Sequence, residues 1–225
     1  EGGDVRCMFC LGWHYSRGEG VPQNLKKALE WYRKAAENGH AVAMYNLGWH
    51  YQTGHGVEKD PVQAVYWYRK AAALGRPDAM NNLGECYALG LGVAQDLEQA
   101  MEWYRKAAAL GEAMADYNMG WYLEQAGKLD EAYEHYRKAA DGNDNSAWWA
   151  LGRFYEAGLA VAQDAKQARR CYEQGEKLGS VKCTMRLARC KLLGIGERRA
   201  KKQGLNLCRR ALALAEESGE KEDYG

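Results

Sequence analysis

No apolar run in this chain approaches the ~18 residues needed to cross a bilayer, so the segment as given is expected to be soluble and to carry no membrane span. Net charge is nearly absent too: 31 Lys/Arg face 30 Asp/Glu, leaving a formal +1. The cysteines lack a pattern. Seven of them, at 7, 10, 86, 171, 183, 190 and 208, make an odd number with no spacing that recurs. A disulfide framework would show regular pairs. Cys7-Met-Phe-Cys10 has CxxC spacing, but no second pair completes a zinc site and no βαβ pattern follows. Small buried thiols are the expected role, with Cys171, Cys183, Cys190 and Cys208 clustered enough for one bridge.

Catalytic signatures are missing as well. The five histidines (14, 40, 50, 55 and 135) contain no HExxH, and the Gly-x-Gly segments are not followed by GK[ST]. No serine has a nucleophile-elbow context, and the recurring carboxylates sit where helix capping explains them. No catalytic residue, cofactor or metal is expected. His14, His50, Cys86 and Cys190 share one slot in different units. Helices stack ~8–10 Å apart, whereas zinc ligands lie ~2.0–2.3 Å from the metal, so that file makes no site.

What the chain does have is a period. Leu11-Gly12, Leu47-Gly48, Leu83-Gly84, Met119-Gly120, Leu151-Gly152 and Leu187-Ala188 recur at steps of 36, 36, 36, 32 and 36 residues. A fixed period of this size means a stacked repeat array. One repeat domain over 1–225 is expected, with units at about 5–40, 41–76, 77–112, 113–143, 144–180 and 181–218 and a tail at 219–225.

The second unit shows the grammar. Met44, Leu47 and Tyr51 fall at helical spacing and define a first helix, A. Gly48 leaves room for a second helix to approach. Gly54-His55-Gly56-Val57 breaks helix A and turns the chain, with Val57 expected to plug into the core. Asp60-Pro61 reads as an N-cap followed by proline at the first helical position. Helix B follows with Ala64, Trp67, Tyr68 and Ala71 on one face, and Gly75 ends it. The cap slot is filled by Asn24, Asp60, Asp96, Asp130 and Asp164. The fourth unit has lost four residues in its turn, which reads Gln125-Ala126-Gly127-Lys128-Leu129. The sixth drifts furthest, with Ala188, Gly204 and Leu207-Cys208 in place of the usual Gly, Ala and Trp-Tyr, as suits a capping unit.

This pattern resembles the Sel-one-like repeat (SLR), a branch of the tetratricopeptide superfamily, over roughly residues 5–218. The resemblance implies an all-α, right-handed superhelical solenoid of about six antiparallel helix pairs, with the A helices lining a concave groove. It implies a non-enzymatic adaptor or binding scaffold, in a bacterial regulatory, virulence-associated or effector-immunity setting. The alternatives are a hydrolase-type enzyme, as claimed for some cysteine-rich relatives, and a purely structural assembly protein. Those relatives carry one disulfide per repeat, which this chain lacks. The missing initiator Met and the family habit favour an exported or periplasmic location, and the unpatterned cysteines favour a cytoplasmic one. The oligomeric state stays open.

Residues two before and two after each Leu lie about 160–200° from it, out of the helix pair and toward that groove. The first set is Phe9, Tyr45, Asn81, Tyr117, Trp149 and Met185; the second is Trp13, Trp49, Glu85, Trp121, Arg153 and Arg189. Aromatic and Arg side chains dominate binding hot spots, so this ladder is expected to hold a protein or peptide partner. Packing of the aromatics between units is the competing role. Arg17, Gln52, Glu124, Gln125 and Glu156, one turn on, are expected at the rim. Fourteen Lys/Arg against three Glu in 166–210 point to an acidic segment of the partner near the C-terminal half. Nucleic acid is not expected, because the remainder is acidic and no recognition motif appears.

Overall fold

The computed structural model describes residues 4–196 and 198–218. Among them are twelve α-helices and no strand. They fall into two compact units, divided after Glu112. Unit 1 holds α1 (Val5–Arg17), α2 (Leu25–Glu37), α3 (Ala41–Thr53), α4 (Pro61–Ala73), α5 (Pro77–Leu89) and α6 (Leu97–Ala109). Unit 2 holds α7 (Ala113–Gln125), α8 (Leu129–Asp141), α9 (Asn145–Ala157), α10 (Ala165–Lys177), α11 (Val181–Leu193) and α12 (Lys201–Ser218). Odd-numbered helices are A, even-numbered ones B. Within each unit every A helix packs on its own B helix, and every B helix packs on the next A helix. This is the all-α solenoid of helix pairs that the period predicts.

Local signals set the boundaries. The Asp60 carboxylate accepts from the Val62 and Gln63 amides, and Asp164 accepts from those of Lys166 and Gln167. Asn24 and Asp96 each accept one such bond, from Lys27 and Gln99. The shortened fourth turn breaks the rule. Lys128 stands at the N-cap of α8 with no side-chain bond, and Asp130 lies inside the first turn. There it complements the helix dipole rather than capping an amide. Gly54 ends α3 at φ +75° with its N–H on the His50 carbonyl, a left-handed geometry that a β-carbon disfavours.

The core of each pair is a glycine facing a tyrosine. A β-carbon on Gly48 would come within 2.5 Å of the Tyr68 ring, and one on Gly120 within 2.8 Å of Tyr136. Tyr32, Tyr68, Tyr104, Tyr136 and Tyr172 are all buried, flanked by alanines such as Ala28, Ala64 and Ala100 that let the helices close. In the sixth pair the small residue changes sides: Ala188 stands on α11, while Gly204 of α12 gives way to Leu192, 2.7 Å from where its β-carbon would be. The Leu of a Leu-Gly pair is buried where a B helix precedes it within the unit: Leu47 is 1% and Leu83 0% exposed. Leu11, on the first helix, is 40% exposed.

Candidate functional site: the outer positions of the A helices

The two sets of ladder residues separate in the structure. The set before the Leu leans on the helix pair. Phe9 is half-buried, stacked on His40 at 4.6 Å between centroids and tilted against Tyr32 at 5.8 Å. Tyr45 and Tyr117 lie against Tyr68 and Tyr136 at 6.0 and 5.6 Å. Asn81 is buried, its amide donating to Asn82 Oδ1 at 3.4 Å. Trp149 is half-buried, and Met185 is exposed. The cause is helical register. The position two before the Leu is three before the Gly, so it shares the face that meets the B-helix tyrosine.

The set after the Leu is more open. Trp49 and Trp121 are 40% and 43% exposed. Trp49 rests edge-on against His50 at 5.1 Å and tilted to His55 at 5.6 Å; Trp121 is edge-on to Tyr122 at 4.7 Å. Trp13 is half-buried beneath the Arg17 guanidinium, 4.9 Å from its centroid. Such cation–π contacts hold a ring in one orientation while leaving its edge accessible. Glu85 is half-buried, and among the described residues no hydrogen bond or ion pair reaches its carboxylate.

The arginines of unit 2 are engaged within the unit. Arg153 pairs with Glu124 and lies over the Trp149 ring at 4.7 Å, with Lys182 Nζ at 5.6 Å from the same ring. Arg189 stands 3.6 Å and Arg186 3.7 Å from the Glu156 carboxylate. The same carboxylates accept the buried tyrosine hydroxyls: Tyr136 donates to Glu124 at 2.7 Å and Tyr172 to Glu156 at 2.7 Å. In unit 1 the Tyr68 hydroxyl donates to Gln52 Oε1 at 2.5 Å. Gln52, Glu124 and Glu156 are therefore clasps for the tyrosines rather than rim groups, and Arg153 is already matched by an acid of its own unit. The signal was available in the spacing. These three residues stand four after the Leu-Gly glycine, on the face above the tyrosine that the glycine admits. Of the other two, Gln125 is exposed and Arg17 covers Trp13.

The titratable groups are set for structure. Burial raises the Tyr68, Tyr136 and Tyr172 hydroxyls, and the Glu124 and Glu156 carboxylates add to the rise at Tyr136 and Tyr172. Burial pushes the Cys86 and Cys171 thiols up to about 12 and Cys183 up to about 11, so these sulfurs are not nucleophiles at neutral pH. All three are free thiols, while Cys7 and Cys10 are exposed. Among the described residues no group of three or more His, Cys, Asp or Glu is arranged to hold a metal, and no helix is long and apolar enough to cross a membrane.

The six repeats match a family model. The model for the Sel1 repeat fits residues 5–40, 41–75, 77–112, 113–144, 147–180 and 181–215. The chain belongs to the Sel1-repeat family. Among solved structures, the Sel1 repeat protein from Oxalobacter formigenes is 30% identical with a TM-score of 0.87, over 93% of this chain and 88% of that one. The uropathogenic Escherichia coli protective antigen c5321, which has an SLR fold, is 32% identical with a TM-score of 0.77 over 96% of this chain and 47% of its own. The immunity protein Pa5087 from Pseudomonas aeruginosa shares the fold at 23% identity and a TM-score of 0.62, over 95% of this chain and 81% of that one. A search of the curated proteins found no match. The Sel1 repeat is commonly a protein-interaction scaffold, and the family is generally non-enzymatic.

Proposed function

We propose that this Sel1-repeat chain is a non-enzymatic scaffold that holds a partner protein or peptide on the outer positions of its A helices. The observation that carries this reading is the exposure of Trp49 and Trp121. Equivalent slots in one repeat frame leave a large aromatic side chain 40% and 43% open to solvent, although the frame buries aromatics completely elsewhere. A tryptophan held rigid at its edge and open on its face offers large contact area at little entropic cost, the character of a binding hot spot. Trp13, Tyr45, Tyr117 and Trp149 extend that surface within their own units, each partly committed to packing. The surplus of basic residues between 166 and 210 supports an acidic partner surface near the C-terminal unit, with the exposed Lys182 and Arg209 contributing in place of the internally matched Arg153. A bacterial regulatory or effector-immunity role fits a scaffold of this kind.

The test is affinity capture from the source cell with wild-type chain and with the Trp49→Ala/Trp121→Ala double variant, read by mass spectrometry. A partner retained by the wild type and lost by a double variant of unchanged melting temperature is the expected result. If the double variant unfolds, and partner retention simply follows its folded fraction, the two rings are core and the reading fails.

A further inference from the structure

On α9 and α11 the slot just after the glycine, or its Ala equivalent, looks toward the last turn of the preceding A helix. Unit 2 shows this directly: Arg153 of α9 meets Glu124 of α7, and Arg189 of α11 stands 3.6 Å from Glu156 of α9. Each time, the residue one after the glycine or its Ala equivalent meets the residue four after the glycine of the previous repeat. Opposite charges fill the two positions, and the unit closes the pair itself.

In unit 1 the same slot on α5 holds Glu85, so the charge is reversed. The position equivalent to Glu124 and Glu156 on the preceding A helix, four after Gly48, is Gln52, whose Oε1 already accepts the Tyr68 hydroxyl at 2.5 Å. Among the described residues of unit 1 no cation forms an ion pair with Glu85. Arg76 is tied to Asp78, and Arg17 covers Trp13 with Glu19 at 3.8 Å. The Glu85 charge is felt by the groups around it: after burial, it is one of the causes that raise Cys86 and Tyr68. One A helix earlier, in the slot equivalent to Glu85, stands Trp49, 40% exposed. An unmatched, half-buried carboxylate one A helix along from an open indole is a complementary surface for a cation carried near an apolar group.

We propose that the A-helix face of unit 1 takes a polypeptide segment bearing a Lys or Arg beside an apolar side chain, the cation meeting Glu85 and the apolar group meeting Trp49. The proposal rests on the scaffold reading above and names the chemistry of what the scaffold holds there. It gives unit 1 the opposite charge preference from the basic end of unit 2.

A phage-displayed random peptide library panned on the immobilised full chain tests it, with Trp49→Ala, Glu85→Gln and Glu85→Lys panned in parallel. Circular dichroism and melting confirm that each variant is folded, and Glu85→Gln keeps the shape of the side chain. Peptides selected by the wild type and lost on Trp49→Ala are expected to be enriched in Lys or Arg next to an apolar residue. One such peptide, synthesised, should bind Glu85→Gln about tenfold more weakly and lose affinity as salt is raised. Glu85→Lys should select Asp or Glu in place of the basic residue. Trp49-dependent peptides without basic enrichment, or with affinity unchanged by Glu85→Gln, overturn this proposal and leave the scaffold reading standing. If no Trp49-dependent peptide is selected, both fall.

Discussion

Units 1 and 2 are built on one repeat, and each presents an open tryptophan, yet they fill the remaining outer slots differently. In unit 2 the residue after the glycine is Trp121, Arg153 or Arg189; Trp121 stays open, and the two arginines each reach back to a glutamate that also clasps a buried tyrosine. The outer face of α7, α9 and α11 is cross-braced from one repeat to the next. In unit 1 those slots hold Trp13, Trp49 and Glu85, and the clasp at Gln52 is neutral and reaches only its own tyrosine. The frame itself is indifferent to the choice. A glycine facing a tyrosine closes either unit, which frees the neighbouring slot for bracing in one place and for an open surface in the other.

The largest expected effect shows that the difference lies outside the core. Leu83→Ala in unit 1 and Leu151→Ala in unit 2 remove side chains 0% and 3% exposed. Each should cost about 2–5 kcal/mol, measured by urea unfolding with hydrogen exchange to localise the loss. A cost confined to one unit would mean that the two cores are not equivalent. Next comes the brace. Glu124→Ala strands the Tyr136 hydroxyl and the Arg153 guanidinium, and should cost about 1–3 kcal/mol. Glu85→Ala strands nothing and should stay within about 0.5 kcal/mol. Equal costs would erase the contrast between the two faces.

Mild acid should separate the units more gently. Burial, with the Arg76 charge adding, lowers His40, and burial lowers His50. The native state therefore holds both neutral, while the unfolded chain takes up protons near the ordinary value of about 6.5. Their contribution is complete above that pH and is lost as pH falls below it. Protonation of His40 at Nδ1 also removes the acceptor that caps α3 through the Ala43 amide at 3.2 Å. The protection factors of α3 amides, corrected for the intrinsic pH dependence of exchange, should fall between about pH 6.5 and 5, ahead of those of α9 and α11. Protection that falls together in all three would sink this account. Among the Leu positions the smallest effect is at Leu11, 40% exposed. Leu11→Ala should cost under about 1 kcal/mol, against several for Leu83→Ala, in the same unfolding assay.

The fold was legible because the Leu-Gly period and the capping residues are local signals, and each helix starts and stops for reasons within its own few residues. The site was legible in part. Helical register assigned Trp49 and Trp121 to the outside, and both are exposed. It could not weigh Phe9, Tyr45 and Tyr117 against the B-helix tyrosines, because an angle of about 160–200° from the Leu still leaves a long ring free to lean back. It also treated Glu124 and Glu156 as solvated rim groups. Their partners are a tyrosine 12 or 16 residues away and an arginine from the next A helix, 29 or 33 residues on. A single helix wheel contains none of these. Asp130 was misread as a cap because the lost loop residues moved the helix start back to Leu129.

The glycine–tyrosine contact has a kinetic side. Gly12 to Tyr32, Gly48 to Tyr68, Gly84 to Tyr104 and Gly152 to Tyr172 each close over 20 residues, and Gly120 to Tyr136 over 16. Loops this short form quickly, and chains dominated by them fold at the fast end of the range. No contact of this type waits for a distant part of the chain, so folding can begin at any of these pairs and spread to its neighbours. The fourth pair has already dropped four residues from its turn without losing the contact. An array made this way can lengthen or shorten by whole repeats, with new outer slots added each time and the old ones left as they were.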